Sequence, residues 1–136
     1  METATTIYLG ELRTEATHIR SGSKVVTDAP PDNQGKGESF SPSDLLATSL
    51  GSCMLTIMGI ASRTHGIQMD GTKISVTKIM VSNPRRVSEV HITFDMPEIN
   101  YSEKEKSILE NAARTCPVAL SVHPDIKQVL TFNYKK

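Results

Sequence analysis

The chain has 136 residues, with 15 Lys and Arg balanced by 15 Asp and Glu and a formal net charge of zero. With no basic excess, 4% aromatic residues and no Trp, it lacks both the cationic footprint and the stacking side chains of a nucleic-acid binder. The length suits a single domain, 1–136, and the opening stretch METATTIYLGELRTEA has charged Glu2 and Glu11 and no apolar run, so no signal peptide and a cytoplasmic location are expected.

Residues 5–29 predict one strand, a turn at Ser21-Gly22-Ser23 and a second strand, with Ile7, Leu9, Val25 and Val26 as the apolar positions. Pro30 to Gly37, with two prolines and two glycines, is a loop. Ser41, Pro42 and Asp44 then form a capping-box-like helix start, and Gly66 a stop. The helix between them is about 22 residues, or roughly 33 Å. Leu45 to Ala61 carries no charge and reaches the lower length limit of a membrane span. The stretch also holds Thr48, Ser49, Gly51, Ser52, Thr56 and Gly59 in an otherwise polar chain, so a buried helix and no membrane partner are expected. Apolar residues circle nearly the whole helix, which predicts that protein surrounds it.

Residues 72–82 and 87–96 predict a hairpin around Asn83-Pro84-Arg85-Arg86, with Val90, Ile92, Phe94 and Met96 on one face. A second helix starts at Ser102 with a Ser102–Glu105 capping box and carries the stripe Ile108, Leu109, Ala112, Ala113. It must bend or end near Cys116, because Pro117 has no N–H to donate. One or two further helical turns follow, and residues 126–134 read as a closing strand. The order is ββ-α-ββ-α-α-β, an α+β fold with mostly antiparallel sheets. One sheet leaves the far side of the first helix bare, which argues for a second copy covering it, hence a homodimer.

Of the two cysteines, Cys53 lies inside the apolar helix on the stripe Leu46, Leu50, Cys53, Ile57, where a buried structural thiol is one reading. Cys116 precedes Pro117 and so caps the following turn, a setting whose backbone N–H groups favour a thiolate and a lowered pKa. The alternative at Cys116 is a kinked helix with an inert thiol. Their separation excludes a C-x-x-C motif, and His18, His65, His91 and His123 show no metal-ligand spacing, so no metal or other cofactor is expected. Two thiols in a reducing compartment are compatible with a cycling pair: one becomes a sulfenic acid and the other condenses with it. That requires the two Cα atoms within roughly 4.4–6.8 Å.

The segments SPSDLLATSLGSCM around Cys53 and ARTCPVALSVHPDIKQVLTF around Cys116 resemble the OsmC/Ohr family of osmotically inducible and organic-hydroperoxide-resistance proteins. The resemblance covers nearly the whole chain and extends to element order. It implies an intertwined homodimer of α+β subunits whose sheets wrap long central helices, with active sites at the subunit interface. It implies a thiol-dependent peroxidase that turns organic hydroperoxides into alcohols, with Cys53 as peroxidatic and Cys116 as resolving thiol. An external dithiol of the lipoyl type or another reductant would regenerate the pair.

Peroxidatic members also use an arginine of the first hairpin, which aligns best with Arg20, and a glutamate just before the cysteine helix. Here Ser43 stands where that branch has the acid of its N-P-E start, which makes the chain more similar to the general OsmC-like branch. Glu38 and Asp44 are the substitutes at hand. Asp44 also reads as the capping acid and lies about 13 Å along the helix from Cys53. Glu38 reads equally as a solvated loop charge and Arg20 as a turn-edge surface residue, so Glu38, Asp44 or neither replaces the acid, with Glu38 the candidate carried forward. A pocket lined by Met54 and Met58 would favour bulky organic substrates. The alternatives are a non-peroxidatic redox-sensing or small-molecule-binding thiol protein of the same fold, and a binding module with structural cysteines.

Overall fold

The structure, a computed structural model, describes residues 1–135. The chain forms two compact units, Met1–Leu46 and Ala47 onward.

The first unit is an antiparallel sheet of β1 (Ala4–Gly10), β2 (Arg13–His18) and β3 (Lys24–Asp28), in that order. The sequence predicts one strand before the Ser21–Ser23 turn; the structure has two, because the chain reverses at Gly10-Glu11-Leu12. All three residues have positive φ, at 85°, 55° and 63°. A glutamate and a leucine rarely enter that region, so the pattern reads straight through the turn. The Leu12 N–H donates to the Tyr8 hydroxyl across it, at 3.3 Å. Both faces of this sheet present apolar side chains to the outside: Ile7 is 60% and Tyr8 63% exposed, with Leu9, Val25 and Val26 also exposed.

After β3 the predicted loop closes on itself. The N–H groups of Asn33 and Gly35 donate to the Pro30 carbonyl, and that of Gly37 to Ala29 at 3.1 Å. A Cβ on Gly35 would lie 1.8 Å from the Ala29 oxygen, so the loop accepts no side chain there. The Asp28 N–H then donates to the Phe40 carbonyl at 3.0 Å, bringing the returning chain alongside the end of β3. Helix α1 (Pro42–His65) starts as predicted. The Ser41 hydroxyl accepts the Asp44 N–H and the Asp44 carboxylate accepts the Ser41 N–H, both at 3.0 Å.

In the second unit α1 continues over a sheet of β4 (Lys73–Val81), β5 (Arg86–Asp95) and β6 (Lys127–Asn133). β4 and β5 are the predicted antiparallel hairpin. β6 lies parallel to β5, and the helices α2 (Glu103–Arg114) and α3 (Pro117–Ser121) occupy the long crossover that a parallel pair needs. The alternation predicted for β5 holds, with Val90, Ile92, Phe94 and Met96 all buried. Phe94 stacks on its register partner Phe132 at 4.4 Å between ring centres. The Ser102–Glu105 capping box forms at α2, whose Leu109 and Ala113 are buried. The Tyr134 hydroxyl donates to Glu110 at 2.6 Å, joining the segment after β6 to α2.

α1 buries one face only, through Ala47, Leu50, Gly51, Met54, Met58 and Ser62. Gly51 sits close on the sheet: a Cβ there would meet Ile74 at 2.6 Å and Val76 at 3.2 Å. On the rest of the helix Leu46 and Ile60 are exposed, Ile60 at 58%. The all-round burial predicted from the sequence is thus half met within one chain, because a three-stranded sheet covers one side of a helix. By length and composition alone α1 would also cross a bilayer.

Candidate functional site

Cys116 is placed by the break between α2 and α3. The residue before a proline is pushed out of the helical region, and Cys116 is extended, at φ −68° and ψ 150°. Pro117 then opens α3, and the Cys116 sulfur caps it by accepting the Ala119 N–H at 3.4 Å. Cys116 is fully buried, whereas Cys53 on α1 is half-buried. Both are free thiols, and Cys53 is near enough to perturb the Cys116 thiol. The structure therefore places the two thiols near one another although 63 residues separate them in sequence.

The lowered pKa predicted for Cys116 is not found. Burial pushes the thiol up, the Ala119 N–H pulls it down, and the nearby Cys53 pushes it up again; the net displacement is upward from 9.0. The Ala119 and Val118 N–H groups at the start of a five-residue helix do not outweigh removal from water. The raised thiol of Cys116 is enclosed, whereas the half-buried Cys53 is the more accessible of the two sulfurs. Met54 and Met58 are entirely inside the core and so do not line an open pocket.

The first unit holds a second cluster. Arg13 opens β2 directly opposite Asp28, the last residue of β3. Its Nη2 lies 3.4 Å from Asp28 Oδ2 and pairs with Glu38 Oε1. Asp28 Oδ2 also accepts the Glu38 N–H at 2.9 Å. That N–H, with help from Arg13, holds the Asp28 carboxyl below its ordinary value even though burial opposes it. Asp28 Oδ1 is buried and has no hydrogen-bond partner among the described residues.

Of the residues singled out from the sequence, Glu38 is thus paired with an arginine of the N-terminal strands, but that arginine is Arg13. Arg20 is exposed in the turn after β2. Asp44 engages its carboxylate in the α1 cap. Sequence reasoning missed Arg13 and Asp28, since without the Gly10–Leu12 reversal Arg13 reads as mid-strand and its register partner is hidden.

A model of a protein family described as OsmC-like protein matches residues 35–130. The chain belongs to the OsmC-like family. Among solved structures, a proposed osmotic stress induced and detoxification response protein from Psychrobacter arcticus 273-4 is similar to this OsmC-like chain, at 53% identity with a TM-score of 0.94. That match covers 98% of this chain and 96% of the other. An OsmC-like protein from Mycoplasma pneumoniae aligns at 17% identity and TM-score 0.81, over 98% and 96% of the two chains. A Legionella pneumophila organic hydroperoxide resistance protein, OsmC, aligns at 13% identity and TM-score 0.76, over 98% of each. The latter two share the α+β OsmC fold with this chain. A comparison with curated proteins finds no significant match.

Proposed function

We propose that this OsmC-like protein is a thiol-dependent peroxidase for organic hydroperoxides. The observation that carries the reading is the proximity of Cys53 and Cys116, with Cys53 acting on the Cys116 thiol, one sulfur half-exposed and the other buried. The Cys53 thiolate attacks the distal peroxide oxygen, the O–O bond breaks, and the alcohol leaves with a proton. The Cys116 sulfur then attacks the resulting sulfenic acid, forming the S–S bond and releasing water. The two thiols supply both electrons, and an external dithiol restores them. The Legionella protein's description as a hydroperoxide resistance protein supports the assignment.

In this reading the arginine and acid of the peroxidatic family members correspond to Arg13 and Glu38. Arg13 takes the role first aligned with Arg20, because Arg13 is the one held by carboxylates. The working protein is a homodimer in the cytoplasm, without a membrane or nucleic-acid partner. The exposed apolar side chains of β1 and β3 and the open face of α1 are surfaces a second copy would cover.

The test is turnover of cumene hydroperoxide by purified protein with a dithiol reductant. Sustained turnover, lost in both Cys53→Ser and Cys116→Ser, is expected. Disulfide formation without sustained turnover would instead mark a redox sensor, and no disulfide a structural pair.

A further inference from the structure

We propose that Gln128 is a positioning residue for disulfide closure, holding the turn that carries Cys116. The inference rests on the peroxidase reading of the Cys53–Cys116 pair. α3 is five residues long and buries none of them fully. Its own hydrogen bonds, Leu120 N–H to the Cys116 carbonyl and the Ser121 hydroxyl to the Pro117 carbonyl, close the turn on itself. Val118 and Ala119, partly buried, pack against the core, and the hydrogen bond that fixes the turn to the rest of the unit comes from β6, where Gln128 Nε2 donates to the Ala119 carbonyl at 3.0 Å.

Ala119 is bonded on both sides. Its N–H donates to the Cys116 sulfur and its C=O accepts from Gln128. Gln128 is itself fixed, being half-buried and in register with the buried Val90 on β5. The helix bearing Cys53 rests on β4 and β5 through Gly51, against Ile74, Val76 and Ile92. One sheet therefore seats both sulfurs, α1 by close packing and α3 by the Gln128 amide.

Resolution needs that fixed seat. The Cys116 sulfur must attack the Cys53 sulfur of the sulfenic acid in line with the breaking S–O bond, and its proton leaves with the hydroxide as water. A displacement of about 1 Å in such a step lowers its rate roughly 100-fold. The first step, attack of Cys53 on the hydroperoxide, uses neither α3 nor Gln128.

Single-turnover experiments with one equivalent of cumene hydroperoxide and no reductant separate the two steps. Loss of the Cys53 thiol and appearance of the disulfide are followed by mass spectrometry, and the sulfenic acid is trapped with a dimedone-type reagent. In Gln128→Leu, which lacks the donor, thiol oxidation is expected at the wild-type rate, with disulfide closure slowed about tenfold or more and trapped sulfenic acid accumulating. Gln128→Lys, which restores an N–H donor, is expected to recover closure. Should Gln128→Leu fail to fold, Gln128→Glu keeps the side-chain shape without the donor and takes its place. Closure at the wild-type rate in the donorless variant, equal slowing of both steps, or no recovery with Lys would overturn the inference. A wild-type protein that forms no disulfide would overturn the peroxidase reading as well.

Discussion

Arg13 and Asp28 face one another across β2 and β3, and the loop that follows returns Glu38 to the same guanidinium. The buried carboxylate serves two donors from different parts of the chain, the Arg13 side chain and the Glu38 main chain. Because Asp28 is 0% exposed, the arrangement fixes where Arg13 and Glu38 can meet.

Asp28 makes the first unit acid-sensitive. Its folded pKa lies below the ordinary 3.8, so its stabilisation is fully present above that value and lost as pH falls through the folded one. In Asp28→Asn the melting temperature is expected to drop at neutral pH and to lose part of its dependence on pH below about 4. Thermal melts of both proteins between neutral and acidic pH measure this, and parallel curves would contradict it.

The Cys116 thiol should titrate above an ordinary thiol, and part of that displacement comes from Cys53. Its folded pKa exceeds the unfolded one, so the linked stability is complete below 9.0 and declines as pH rises through the folded value. Thiolate absorbance against pH in Cys53→Ala is expected to show Cys116 ionising at lower pH than in the wild type, while remaining raised by burial. Alkylation at neutral pH should label Cys53 well before Cys116.

Gly51 lets α1 lie against the sheet. A valine there would drive its methyls into Ile74 and Val76 and is expected to destabilise the protein by about 1–3 kcal/mol. Urea unfolding gives the number, and unchanged stability would mean the helix does not seat on β4 and β5 as described.

If a second copy covers β1 and α1, charge placed on those surfaces should separate the chains. Leu9→Lys and Ile60→Lys, both at exposed apolar positions, are expected to shift the protein from dimer toward monomer in light scattering after size exclusion. A wild-type monomer, or dimers indifferent to both changes, would remove that assembly.

Much of the second unit was legible because its signals are local. The β5 alternation from Val90 to Met96, the Ser102–Glu105 box and the Cys116-Pro117 break each follow from neighbouring residues. The reversal at Gly10-Glu11-Leu12 was not legible, since two of its three left-handed residues carry side chains that give no warning. Arg13 and Asp28 went unseen with it. The parallel pairing of β5 and β6 depends on a long crossover, which no short window contains. The capping role of Cys116 was readable, but the sign of its pKa change depends on how deeply the fold encloses it.

The β5–β6 pairing also sets an order of events. β6 and Gln128 lie C-terminal to both thiols, and a parallel strand docks only after its crossover has formed. On a ribosome, Cys53 emerges and its helix can form while the residues that seat Cys116 are still unsynthesised. Under the proposed thiol cycle, a growing chain therefore passes through an interval in which an oxidised Cys53 has no seated Cys116 to close the disulfide with.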